Sequence, residues 1–245
     1  MKNAAVWLLC LFSGAALGAE IKVLSAGAVE PGLRSVAGAF EKQSGHRVSI
    51  TFNTAPEIRK RLSGGDAFDV VIAPPAALDE FSGAGKIAAD RVNLGRVGLG
   101  VAVRPGAELP DISSTEALKR SVLQADSIVF NRASTGIYLE NLLKKMGVYD
   151  QILPKTTRYP DAGAVMEHVL KGKGREIGFG PITEILLQRD KGLRLVGPLP
   201  AEVQNYTSYS AAPMAAAADA ELARAFVRYL GSSESKALFV AAGVD

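Results

Sequence analysis

The amino-acid sequence predicts an α/β protein made of two lobes, each with a mostly parallel sheet, joined by two hinge strands. Two observations support this fold class. Short apolar runs typical of buried strands alternate with amphipathic helical patterns. This alternation starts a second time after residue 105, and a strand near the C-terminus leads back to the first set. We therefore expect lobe 1 to comprise residues 20–97 plus 206–245 and lobe 2 to comprise residues 98–205.

The N-terminus has the pattern of a secretory signal peptide. Lys2 precedes an uncharged apolar run at 4–12, and small residues follow up to Ala19. The run is shorter than the ~20 residues that a spanning helix needs. We expect residues 1–19 to be removed and the protein to reach the periplasm. Cys10, the single cysteine, would leave with this segment, so no disulfide is expected.

Lobe 1 is predicted from three strand-and-helix units. Pro31 and Pro56 stand where helices begin, because the missing proline N–H costs nothing there. Gly45 ends the first helix, which carries apolar residues three and four positions apart. The predicted elements are strands at 21–24, 48–52 and 68–73 and helices at 30–44, 56–62 and 76–81.

Lobe 2 repeats this organisation. A long apolar segment at 94–103 leaves lobe 1 and ends at Pro105. Ser113 and Glu116 have the spacing of a capping box, and Gly147 closes a helix. The predicted elements are strands at 127–130, 176–179 and 193–196 and helices after 116 and at 137–146, 165–170 and 181–187. A return strand at 206–214 and helices at 220–230 and 233–242 complete lobe 1.

Three strand-to-helix turns are rich in small residues, and they predict an anion site. The turns are 26–28, 53–55 and 133–136. Ligands of open parallel sheets bind beyond the carboxyl ends of the strands. Small side chains there allow a ligand to approach the backbone N–H groups of a helix N-terminus, which favour an anion. The alternative for any single turn is a tight connection without a ligand.

The chain resembles the periplasmic molybdate-binding proteins of ABC transporters. The resemblance rests on "VLSAGAVEPGLRSVAGAFEKQSGHRVSITFNTAPEIRKRLSGGDAFDVVIA" and "NRASTGIYLENLLKKMGVYDQILPK", and it extends over nearly the whole chain after the leader. It implies a type II periplasmic-binding fold that closes on a small anionic ligand without catalysis. It also implies a cognate ABC permease in the inner membrane as partner.

The resemblance also implies ligand positions, and several carry an unusual residue. The family's two serines fall on Ala28 and on Ala55 or Thr54, and its alanine before Gly-Ile-Tyr falls on Thr135. A valine N–H falls near Gly163, and a tyrosine hydroxyl falls near Pro181, which has no N–H. Two hydroxyl donors are therefore lost and one is gained.

Cationic residues near the same turns suggest a small organic carboxylate as an alternative to a molybdate-like oxyanion. Arg132, Arg158 and Arg59 lie close to the turns in sequence, and arginine suits bidentate carboxylate recognition. The alternative for each arginine is a solvated surface side chain. The predicted ligand-binding residues are Gly27, Ala28, Asn53, Thr54, Ala55, Arg132, Ser134, Thr135, Gly163 and Pro181.

No motif of a hydrolase, a nucleotide-binding loop or a metalloprotease is visible, so we expect no enzymatic activity, no cofactor and no metal. His46 and His168 are far apart in sequence, and Asp69 in an apolar strand is best explained by a structural hydrogen bond.

The net charge of +3 does not suggest a nucleic-acid partner. We expect a monomer. The alternatives are an exported enzyme of unrecognised type, a ligand-sensing receptor without a transport role, and the effector domain of a cytoplasmic regulator.

Overall fold

A computed structural model describes residues 18–245, so most of the predicted signal peptide and Cys10 lie outside the described residues. The strands are β1 (Glu20–Ala26), β2 (Arg47–Asn53), β3 (Val70–Ala73), β4 (Val92–Val103), β5 (Ser127–Asn131), β6 (Thr156–Tyr159), β7 (Glu176–Pro181), β8 (Arg194–Pro198) and β9 (Tyr206–Pro213). The helices are α1 (Glu30–Ser44), α2 (Ala55–Ser63), α3 (Pro75–Gly83), α4 (Thr115–Gln124), α5 (Ser134–Lys145), α6 (Tyr149–Ile152), α7 (Ala162–Lys171), α8 (Ile182–Leu186), α9 (Ala220–Leu230) and α10 (Ser233–Ala241).

The predicted two-lobed α/β fold is confirmed, with a mixed rather than purely parallel strand arrangement. The strand order is β2-β1-β3-β9-β4-β7-β5-β6, and β8 pairs with β4. β1, β2 and β3 run parallel, as do β5, β6 and β7. β9 and β4 run antiparallel to their neighbours, because they carry the chain between the two sets.

The buried apolar side chains form separate clusters on either side of the middle of β4. The largest cluster draws on residues 21–97 and 209–244, and two smaller ones lie within residues 99–199. The exact boundaries of the lobes stay a prediction. We use lobe 1 for residues 20–97 plus 206–245 and lobe 2 for residues 98–205.

The chain crosses between the lobes at two adjacent places. β4 pairs with β9 as far as Gly98 and with β7 from Leu99 onward. At this crossing the Leu99 N–H donates to the Asn205 carbonyl over 3.1 Å, and the Gln204 side-chain amide donates to the Leu99 carbonyl over 3.0 Å. The two connecting segments are therefore hydrogen-bonded to each other where the lobes meet.

Two local predictions need correction. The cap of α4 is Ser114, whose hydroxyl accepts from the Ala117 N–H, whereas the Ser113 hydroxyl donates to Asp111. The nearby carboxylate binds Ser113 and moves the cap by one residue. β6 is missing from the predicted elements, because its four residues are only partly buried and form no apolar run.

Asp69 has the structural role expected of it. Its two carboxylate oxygens accept from the Lys22 and Ala218 N–H groups, each over 2.8 Å. These bonds tie β1 and the segment after β9 to the start of β3. No helix among residues 18–245 is both long enough and apolar enough to span a membrane.

Candidate functional site

A cavity of about 280 Å³ lies between the lobes at the carboxyl ends of the strands. The three small-residue turns all reach it, although they come from both lobes. Nine of the ten predicted ligand-binding residues line it: Gly27, Ala28, Asn53, Thr54, Ala55, Ser134, Thr135, Gly163 and Pro181. The cavity wall also contains residues that the sequence reading did not assign to a site: Ala26, Glu30, Phe52, Glu57, Pro74, Asn131, Ala133, Pro160, Asp161, Ala162, Glu184 and Tyr209.

Several helix starts from both lobes meet at this cavity and supply neutral donors. The starts of α2, α5 and α7 line it directly, and the 3-10 turn at Gly27–Val29 leads into α1 beside it. The first N–H groups of a helix have no acceptor within the helix. Their partial positive charge and the helix dipole favour an anion in the space that they share.

The Asn131 side chain binds two backbone N–H groups at the start of α5 and leaves the two N–H groups between them without an acceptor in the turn. Its buried side-chain oxygen accepts from the Ala133 and Gly136 N–H groups, over 3.0 and 3.1 Å. The N–H groups of Ser134 and Thr135, between them, belong to the first turn. The Thr135 hydroxyl is bonded to the Asn131 side chain. Thr135 therefore offers its backbone N–H rather than its hydroxyl.

The arginines proposed from the sequence do not line the cavity. Arg132 is exposed, because β5 ends at Asn131 and the next residue turns away from the site. Arg158 forms an ion pair with Glu140 and lies over the Phe130 ring. Arg59 binds Glu80 through two hydrogen bonds, over 2.6 and 3.0 Å. The structure thus gives no support to arginine recognition at this site.

The charged side chains in the cavity wall, among the described residues, are carboxylates. Three of them have partners: Glu30 accepts from Arg34, Asp161 accepts from the Ala164 N–H, and Glu57 lies 3.6 Å from Lys60. Glu184 forms neither a hydrogen bond nor an ion pair within the described part of the chain. It is partly buried, on the helix that follows Pro181.

Burial raises the pKa of the Glu184 carboxyl to about 8, and the nearby Asp161 and Glu30 charges add to this effect. The charged form is disfavoured because it would leave water without gaining a partner. Tyr209, also in the wall, has a raised pKa because of its burial and because of the Glu184 charge. Glu184 is therefore a carboxyl group in the cavity wall whose pKa lies close to neutral pH, so that it can both give and take a proton there.

Glu184 is not among the predicted site residues, and there is a physical reason for this. A glutamate in the first turn of a short helix is typical of a solvated residue that interacts with the helix dipole. Its unusual environment is created by lobe 1, which is remote in sequence. Glu184 Oε1 lies only 3.4 Å from the position that a Cβ on Gly27 would occupy.

The family of bacterial extracellular solute-binding proteins matches residues 21–245. The chain belongs to this family.

Two solved structures similar to this solute-binding protein have the same fold. A periplasmic molybdate-binding protein of Azotobacter vinelandii superimposes with a TM-score of 0.77 at 19% identity, covering 92% of this chain and 98% of that one. A tungstate ABC transporter protein of Geobacter sulfurreducens gives 0.68 at 14% identity, covering 91% and 98%. The expected resemblance to molybdate-binding proteins is confirmed.

One relative corrects the expectation that this solute-binding protein has no enzymatic activity. A Pseudomonas protein named aconitate isomerase is 33% identical over 221 residues, covering 88% of this chain and 83% of that protein. The prediction that the chain is not an enzyme is contradicted by this relative. The absence of hydrolase, nucleotide-binding and metalloprotease motifs did not justify that expectation, because general acid–base catalysis needs only one suitably placed acid or base and has no such motif.

Proposed function

We propose that this protein binds a small polycarboxylate, of the aconitate class, in the cavity between its lobes and isomerises it by proton transfer in the periplasm. The observation that carries the proposal is the Glu184 carboxyl, which faces the cavity, has no partner among residues 18–245 and has a pKa raised to about 8. The relative named aconitate isomerase supports the substrate class.

Backbone donors account for anion binding, since no Lys or Arg of the described residues 18–245 lines the wall. The starts of α5 and α7 contribute the N–H groups of Ser134, Thr135, Ala162 and Gly163. Each separate carboxylate of the ligand can be met by one helix start. A hydrogen bond from a neutral donor to a charged acceptor is stronger than one between neutral groups. A cavity of about 280 Å³ suits a small metabolite better than a larger ligand.

The chemistry requires only a proton shift. Aconitate has a methylene group next to a carbon–carbon double bond, and removal of a methylene proton leaves an electron pair delocalised over the three-carbon allyl unit. Return of a proton to the other end of that unit re-forms the double bond, with either geometry. Nothing is oxidised or reduced. Glu184 would take the proton at one carbon and return it at the other.

The raised pKa of Glu184 fits this role. At pH 7 about one molecule in ten carries the ionised carboxylate that can accept a proton. A base with a pKa near 8 is stronger than an ordinary glutamate and gives its proton back readily. The protonated majority also repels an anionic ligand less than a full carboxylate would.

The test follows the interconversion of cis- and trans-aconitate by proton NMR, with purified protein and its Glu184→Gln variant. We expect turnover by the wild type and a loss of 100-fold or more in kcat in the variant, with Kd changed less than fivefold. Glu57→Gln, an exposed carboxylate at the cavity wall, is the matched control and should retain activity. Saturating binding of aconitate with no interconversion would overturn the proposal.

A second candidate is a receptor that delivers its ligand to an ABC permease without turnover. Membership of the extracellular solute-binding family favours it. A ligand that binds only the folded state raises the melting temperature once its concentration exceeds Kd. Stabilisation by molybdate or tungstate at micromolar concentration, without a response to aconitate or other carboxylates, would favour this candidate and the oxyanion ligand.

A further inference from the structure

One buried hydrogen bond joins the two lobes directly beside the cavity. The Thr183 hydroxyl, at the start of α8 in lobe 2, donates to the Ala28 carbonyl of lobe 1 over 2.6 Å. Thr183 is fully buried. The bonded residues are 155 positions apart in sequence, so their contact depends on how the lobes sit against each other.

We propose that the Thr183–Ala28 hydrogen bond, here called the latch, holds the lobes closed and thereby positions Glu184 in the cavity. Thr183 is then a positioning residue. This part of the inference rests on the proposed role of Glu184 in proton transfer, whereas the holding of the lobes does not.

The same turn of lobe 1 receives both neighbouring residues of α8. Ala28 accepts from Thr183, and Gly27 lies against the Glu184 carboxylate, where a Cβ would stand 3.4 Å from Oε1. The Thr183 methyl group also packs near Gly243 of lobe 1. Thr183 is therefore inserted between two parts of lobe 1, and Glu184 follows it into the cavity wall.

The body of α8 belongs to lobe 2. Ile185 is buried in a lobe 2 cluster with Ala102 and Val129. A rotation that separates the lobes about the crossing at Leu99 and Asn205 would carry α8 away from Ala28. The latch would then break, and Glu184 would leave its position beside Gly27 and return to solvent.

The first test of the latch needs no ligand. Amide hydrogen exchange is compared between wild type and Thr183→Val, which keeps the shape and removes the donor. We expect the turn at residues 27–29 to exchange about tenfold faster in the variant, since a buried acceptor left without its donor is destabilising. Thr156→Val is the matched control, because the Thr156 hydroxyl also donates to a backbone carbonyl, that of Ile152, but within lobe 2.

The second test uses aconitate. Thr183→Val should lower kcat about tenfold with a smaller effect on KM, and Thr183→Ser, which keeps the hydroxyl, should restore most of the activity. Thr156→Val should match the wild type. Equal exchange at residues 27–29 in the Thr183→Val and Thr156→Val variants would refute the latch. Faster exchange with unchanged kcat would refute the positioning role. Faster exchange in a protein that never isomerises aconitate would leave the latch intact and refute the proposed function instead.

Discussion

The Glu184 carboxyl makes the stability of this protein depend on pH in a window that the raised pKa defines. Its pKa rises from 4.5 to about 8 on folding. Below pH 4.5 the carboxyl is protonated in both states and contributes no pH dependence. As the pH rises toward 8 the unfolded state releases a proton that the native state keeps, so the free energy of unfolding falls. Above pH 8 the loss is complete.

A pKa that rises from 4.5 to about 8 corresponds to at most about 5 kcal/mol of lost stability. Because Glu184 is only partly buried, solvent screens its charge, and we expect about 2 kcal/mol. Glu184→Gln removes the ionisable group and keeps the shape. Relative to wild type, the variant should therefore become more stable as the pH rises, by about 2 kcal/mol between pH 4.5 and pH 8.5.

Urea unfolding at several pH values measures this difference, because the other titrating groups are common to both proteins and cancel. A stability difference for Glu184→Gln that stays constant from pH 4.5 to pH 8.5 would show that the carboxyl is not held in its protonated form by the fold.

Three further predictions concern residues in and around the elements that form the cavity. Gly136→Ala should lower the melting temperature by more than about 5 °C, because a Cβ there would lie 1.8 Å from the Asn131 carbonyl oxygen; an unchanged melting curve would contradict this. Asp69→Ala should cost about 2 kcal/mol in urea unfolding, since two partly buried N–H groups lose their acceptor, and Kd for aconitate should stay within twofold of wild type. Arg132→Ala should leave the Kd for aconitate unchanged in calorimetry, because the residue does not line the cavity. A tenfold higher Kd would support the binding role expected from the sequence.

The turns were predictable from the sequence because their geometry follows from local rules. Pro31, Pro56 and Gly45 mark helix ends, and the structure has α1 and α2 where these residues place them. Parallel strands bring their carboxyl ends to one edge, so the small-residue turns after β1, β2 and β5 meet at one cavity.

The electrostatics of the cavity were not predictable in the same way. Arg59 and Arg158 lie near the turns in sequence, yet their partners Glu80 and Glu140 are 21 and 18 positions away and hold them elsewhere. An arginine that is paired with a carboxylate of the protein is not available to a ligand. The fold determines which carboxylate lies beside each arginine, and closeness in sequence to a turn does not. Arg132 also lies outside the cavity wall, and its role in ligand binding stays a prediction.

The sequence by itself determined the α/β alternation, the places where helices begin and the presence of helix-start donors at one edge of the sheets. These features depend on backbone preferences and on apolar periodicity, which act over a few residues. Only the tertiary structure decided which side chains occupy the cavity. Glu184 has a raised pKa because lobe 1 covers it, and Thr183 finds an acceptor 155 residues away. Burial and charge pairing arise from contacts between elements that are distant in sequence, so no local stretch of sequence contains them.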